Sequence, residues 1–233
     1  NAIANALQQT SANSNGVNPM IMWLARYFEE RRAGQDVLEA MKRTHVGTWA
    51  GTLAAAALGT TLGAQLKQVA QIIKLRGSTG MSRQVFFTAL GGFDTHANQG
   101  WAHWDLLRQV GEALAAFHAA TVELGVAAQV TTFTQSDFGR TLQPSGNGSD
   151  HGWGNHQLLM GGAVRGGAVY GAFPYPALGG ADDAGNRGAL IPSTSLEQFG
   201  ATLARWFGVP AAALPQVFPN LAQFASSDLG FLA

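Results

Sequence analysis

Apolar positions along this chain recur with two periods. Leu62, Leu66, Val69 and Ile73 fall at i, i+4, i+7 and i+11, one stripe that predicts an amphipathic helix, and Gly77 ends it. A looser stripe of Met22, Ala25, Tyr27, Phe28, Val37, Leu38 and Met41 predicts a helix over 20–42, interrupted at Gly34. Trp104, Leu107, Leu114, Phe117 and Thr121 predict the inward face of a long helix over 101–124. Leu196, Phe199, Leu203, Trp206 and Phe207 do the same for 194–207. Between the helices lie continuous apolar runs. Arg83 to Leu90, bounded by Ser82 and Gly91-Gly92, predicts a strand covered on both faces, and Ala128 to Thr134 predicts a second. Strand, helix and strand at this spacing imply a right-handed βαβ unit. The expected fold class is therefore α/β, a mostly parallel sheet with helices on both faces.

The remaining stretches are less regular. Residues 1–19 are polar and Asn/Ser-rich, 45–59 show no clear period, and 161–171 have room for one or two short strands. Residues 175–187 read as a Pro/Gly/Asp loop, and Pro210, Pro215 and Pro219 predict an irregular tail. No internal repeat and no linker divides the chain, so residues 1–233 are expected to form a single α/β domain.

Composition narrows the function. A chain of 233 residues with 46% hydrophobic content can bury a core. The 14 basic and 14 acidic side chains cancel, which leaves no basic footprint for nucleic acid. The run Glu29-Glu30-Arg31-Arg32 is mixed in sign and reads as a solvated helix face. Without cysteine there is neither a disulfide framework nor a thiolate ligand. No apolar run reaches the ~18 residues of a membrane span; Leu53 to Leu58 stops at Gly59. The chain starts at Asn1 and shows no signal peptide, so it is expected to be processed or a fragment.

Only 12% of residues are charged, yet Asp and His gather in three glycine-flanked segments. These are Gly91-Gly92-Phe93-Asp94-Thr95-His96, Ser136-Asp137-Phe138-Gly139-Arg140-Thr141, and Gly148-Ser149-Asp150-His151-Gly152-Trp153-Gly154-Asn155-His156. Two of them follow strand-like runs, and ligands of open α/β sheets bind at the carboxyl ends of strands. Carboxylate and imidazole together suit a borderline divalent ion. Asp94 could instead cap the helix that follows. Arg140 could clamp an anionic substrate or neutralise the carboxylates beside it. Trp153 could line a pocket or anchor the loop. His103, close to the Asp94 loop, and His118, beside Phe117, are candidates for orienting ligands or satisfying the core. Ser136 lacks a nucleophile elbow and reads as a loop hydrogen-bonder. The glycines of 161–171 lack the Lys-Ser/Thr ending of a phosphate loop.

Those motifs, in order and over nearly the whole chain, resemble the C-terminal half of the DUF1501 family. They continue through Gly161-Gly162-Ala163-Val164, Tyr170-Gly171 and Val217-Phe218-Pro219-Asn220-Leu221 to Asp228-Leu229-Gly230-Phe231. That family in turn resembles the alkaline phosphatase and sulfatase superfamily. The resemblance implies an alkaline-phosphatase-like fold in which divalent ions at strand ends bridge a substrate anion. Asp94 and His96 would bind one ion, completed by His156 or His151, and Asp137 would serve a second. Phe138 stands where the superfamily has histidine, which makes His151 the replacement imidazole, while Asp150 could take the place of Asp137. Zinc is the first choice of metal, with manganese, calcium and magnesium as alternatives.

The superfamily's nucleophile and first metal-binding Asp come from strands before this chain begins. An absent N-terminal part, or a second chain supplying it, is therefore expected. The resemblance also implies twin-arginine export and a periplasmic location. Two functions follow: a metal-dependent hydrolase of small phosphate or sulfate esters with Arg140 on the anion, or a non-catalytic exported binding or assembly module.

Overall fold

A threonine hydroxyl starts the first helix that a computed structural model of the chain describes. The described residues are 59–233; the helix expected over 20–42 and the stretch 45–58 lie outside them. Thr60 sits in extended backbone and its Oγ1 accepts from the Gly63 N–H at 3.0 Å, capping helix α1 (Thr61–Lys74). The predicted stripe is buried: Leu62, Leu66, Val69 and Ile73, joined by Ala70. Helix α2 (Gln99–Glu123) buries Ala113, Ala116, Phe117, Ala120 and Thr121. Most of these, with Val126, make one core, and Phe86, Leu90, Val110, Leu124 and Val130 pack around it.

The face of α2 differs from expectation in its first turns. Trp104 and Leu107 are 53% and 52% exposed. The helix turns its alanines inward instead, and these small residues allow α1 to approach closely. Each fully buried Leu, Ile or Phe contributes roughly 1.5–3 kcal/mol, which outweighs leaving two large side chains at the surface.

Among the described residues, four strands form two small sheets. Strands β1 (Thr131–Phe133) and β4 (Leu159–Gly161) pair antiparallel, as do β2 (Gly139–Ser145) and β3 (Gly148–Gly152). Helices and strands are thus mixed, but the described residues carry no parallel pair, and the expected βαβ unit is corrected to antiparallel ladders. The run 83–90 shows why. It forms no strand, and Phe87 is 83% exposed, so one face only is covered. At Ala89 the Gln65 side chain of α1 takes both backbone groups, accepting from N at 2.9 Å and donating to O at 2.8 Å. A helix amide occupies the place of a strand partner.

The described chain packs as two units, 59–75 with 86–193 and 233, and 76–85 with 194–232. In the second, α3 (Leu196–Phe207) starts with a reciprocal Ser195/Gln198 capping box and ends at Gly208 with φ 101°. It buries Ala201, Thr202, Leu203 and Ala204, and the tail adds buried Leu214, Phe218, Leu221 and Phe231. No helix among the described residues is long and apolar enough to cross a membrane.

Candidate metal centre

The β2–β3 hairpin sets the site. Gly146 turns it at φ 61°, and Asn147 then serves α2: its Oδ1 accepts from Asn98 N–H and its backbone O from Gln99 N–H, both at 3.1 Å. The cap that α2 needs therefore comes from the hairpin, and Asp94 is not its N-cap; Asn98 is, in left-handed backbone at φ 54°. Asp94 and His96 lie on the loop just before. Two tight turns, Thr95 N–H to Phe93 O and His96 N–H to Asp94 O, curl that loop over β3.

Asp94 Oδ1 is the point of convergence. His151 Nε2 lies 2.7 Å from it, His96 Nε2 3.0 Å and an Arg140 guanidinium nitrogen 3.3 Å. Asp94, His96 and His151 each offer one ligand atom within 4.8 Å of the others, an arrangement that could hold a metal ion. Metal–ligand bonds of ~2.0–2.1 Å in a tetrahedron put ligand atoms about 3.3 Å apart. The two Asp94 pairs, at 2.7 and 3.0 Å, would need to open by about 0.6 and 0.3 Å. Asp94's pKa is lowered, first by the His151 hydrogen bond, with desolvation opposing and the His96, His151 and Arg140 contacts adding. The carboxylate is thus in the anionic form that a cation requires.

Behind these three stand their supports. His96 Nδ1 faces Asp150 Oδ1 at 3.7 Å, and Asp150 Oδ2 accepts from Arg187 at 2.6 Å. Carboxylates placed so behind a ligating imidazole orient its other nitrogen. Arg140 donates to Ser149 O at 2.7 Å and to Phe93 O at 2.6 Å, stitching β3 to the Asp94 loop, and its side chain is only 13% exposed. Phe138 lies flat on His151, centroids 3.9 Å apart, and His151 in turn stacks on His96 at 5.0 Å. His103 Nδ1 approaches the buried Thr95 Oγ1 at 3.4 Å, behind the loop. Burial and then the Arg140 charge lower its pKa, which favours the neutral ring.

Of the residues expected to bind metal, the structure gathers Asp94, His96 and His151, with Asp150 one step back. Asp137 and His156 lie outside the group: Asp137 is exposed, and His156 stacks on Phe173 at 4.8 Å. Ser136 donates to Phe138 O at 3.0 Å, a loop role as expected. Trp153 is 61% exposed.

Arg187 was not foreseen. It is presented by a loop wound around Asp183, whose buried carboxylate accepts four backbone N–H groups, from Gly179, Gly185, Gly188 and Ala189, at 2.8–3.1 Å. The Asp-x-Gly spacing of Asp183-Ala184-Gly185 was the available signal.

Residues 4–211 match the protein family described as "Protein of unknown function (DUF1501)". No curated protein and no solved structure matches the chain.

Proposed function

The chain belongs to the DUF1501 family, and from the geometry of its site we propose that it is a metal-dependent hydrolase of phosphate or sulfate esters. One observation carries the reading: two imidazoles and a carboxylate converge on a point, and among the described residues the group has three members. Three protein ligands with a position left open are the pattern of catalytic rather than structural zinc. A bound divalent ion would supply a Lewis acid for the ester's anionic oxygen and a water of lowered pKa. Mixed nitrogen and oxygen donors favour zinc or manganese over calcium and magnesium, which prefer oxygen.

The chain's own residues do the rest. Asp94 and Asp150 balance Arg140 and Arg187, so with neutral imidazoles a divalent ion leaves the centre about two charges positive, which draws an anion. Arg140, already bonded to two backbone carbonyls, holds the loop. Arg187, 43% exposed and tethered to Asp150 through one nitrogen, is the guanidinium that meets a small anionic ester from solvent. His156 as a ligand of the first ion, a second ion at Asp137, an alkaline-phosphatase-like sheet, completion by a second chain and a periplasmic location rest on the sequence resemblance alone.

A non-catalytic binding module is the second reading. It is favoured by one fact: no Ser or Thr hydroxyl among the described residues hydrogen-bonds to Asp94, His96 or His151. Native mass spectrometry of the zinc-treated chain, followed by assays with p-nitrophenyl phosphate and sulfate, separates the two. One tightly held ion, lost in Asp94→Asn and His96→Ala, with ester turnover reduced in Arg187→Ala, supports the hydrolase. Full metal content in both ligand variants would overturn the site, and bound metal without turnover would leave the binding module.

A further inference from the structure

His151 is a half-exposed side chain on a short edge ladder, and exposed imidazoles turn freely about χ2. In this structure it is held in one plane. Its ring lies parallel to Phe138, with centroids 3.9 Å apart and an interplanar angle of 6°. Only one orientation within that plane brings Nε2 to 2.7 Å from Asp94 Oδ1.

The contact is built into the hairpin. Arg140 of β2 pairs with His151 of β3, and Gly139 pairs with Gly152. Phe138, one residue before β2, is thus diagonal to His151, a distance that only an aromatic or long side chain can span. On the opposite face of the ladder, Gly139 and Gly152 leave no room for a side chain. A Cβ on Gly152 would lie 2.8 Å from the Arg140 carbonyl carbon, and one on Gly139 would collide with the Gly154 backbone. Arg140 adds a third planar group, its guanidinium carbon 5.0 Å from the Phe138 centroid.

We propose that Phe138 is a positioning residue for the metal centre: it fixes the ring plane of His151 so that Nε2 points at the ion. The proposal rests on the metal-binding reading of Asp94, His96 and His151 but not on any hydrolytic activity. Phe138 touches neither ion nor substrate and acts through His151. Removing its plane should therefore change ligand geometry while leaving the fold in place.

The test compares Phe138→Leu, which keeps apolar bulk and loses the plane, with Phe138→Tyr, which keeps both. Cobalt(II) is the probe, because its d–d absorption reports coordination geometry as well as occupancy. Loss of a group that orients a ligand typically weakens metal binding by about 10–100-fold. That loss, with altered d–d bands, is expected for Phe138→Leu, and wild-type behaviour for Phe138→Tyr. Unchanged affinity and bands in Phe138→Leu overturn the proposal. So does equal damage in both variants, which would mark Phe138 as packing only.

The stack has its own readout. The ring protons of His151 should be shifted upfield in NMR spectra of wild type and Phe138→Tyr and return toward ordinary values in Phe138→Leu. If wild type binds no cobalt but shows those shifts, the metal reading falls and the positioning contact survives. If the shifts are absent in wild type, the Phe138 proposal itself is overturned.

Discussion

Replacing Gly148 with alanine tests whether the hairpin and the metal loop are seated on one another as described. A Cβ at Gly148 would point into the backbone of Thr95 and His96, 2.6 Å from Thr95 O and closer still to the His96 carbonyl. Ordinary contact begins at 3.4 Å. The neighbour is main chain, so no side chain can swing aside. The loop must move by at least about 0.8 Å, against the ~0.5 Å within which a functional constellation has to be held. Asp94 and His96 ride on that loop while His151 stays with β3, so the displacement separates the ligands directly.

Overpacking of this kind costs about 1–3 kcal/mol, or roughly 2–12 °C in melting temperature for a chain of this size. Zinc affinity should fall by at least about tenfold, the lower end of the loss seen when ligand support is removed. Isothermal titration with zinc and a thermal melt read both effects. Gly166→Ala, whose Cβ would meet nothing within 4 Å, is the control and should change neither. If Gly148→Ala binds zinc as tightly as wild type and melts at the same temperature, the reasoning fails.

Three further substitutions probe the supports. Asp183→Asn should lower the melting temperature near neutral pH. The four backbone N–H groups, Gly179's foremost, hold the Asp183 pKa below its ordinary 3.8; a depressed carboxylate stabilises above its unfolded pKa and loses that contribution as pH falls through the folded value. The gap between wild type and Asp183→Asn should therefore close below about pH 4, and a gap independent of pH would contradict this. Arg140→Lys should destabilise by about 1.5–3 kcal/mol in urea titration, because a single ammonium nitrogen lacks the fork whose two nitrogens reach the carbonyls of Ser149 and Phe93 separately. Gly111→Ala, on an exposed turn of α2 with open space around it, should stabilise by about 1 kcal/mol and raise the melting temperature by ~2–4 °C.

How much of this was legible depended on how local the cause was. The stripe of α1, the helices over 99–123 and 196–207, and the Asp94-x-His96 pair are set by neighbours a few residues apart, and all could be read. Strand partners could not. Thr131 to Phe133 reads the same whether its neighbour is parallel or antiparallel, and the choice of Leu159–Gly161 depends on a turn chemistry spread over 134–158. The phase of α2 escaped because Trp104 and Leu107 are more apolar than the alanines that were buried instead. At the site, chemistry picked the right residue types, but geometry sorted them. Asp150 and Asp137 have equally good carboxylates, and only the hairpin register brings Asp150 beside His96. Arg187 arrives from 37 positions beyond Asp150 through a loop held by Asp183, and no spacing rule reaches that far.

A centre with half-exposed ligands must take its rigidity from contacts behind them, because burial does not provide it. Here the supports are unequal. His151 has a ring stacked at 3.9 Å and a 2.7 Å bond to Asp94, and Asp94's loop is tied to β3 through Arg140. His96 has a 3.0 Å contact to Asp94 and a 3.7 Å approach to Asp150, which is itself held by one bond to a 43% exposed arginine. The back of the site is therefore preorganised and the front is adjustable. Were a metal ion to spread the ligand atoms beyond 2.7 and 3.0 Å, His96, the less supported ligand, would be the group to yield. Drawing its Nδ1 in toward Asp150 turns an ion-pair distance into a hydrogen bond and moves Nε2 away from Asp94. The same motion would keep Arg187 paired with Asp150 at the solvent edge.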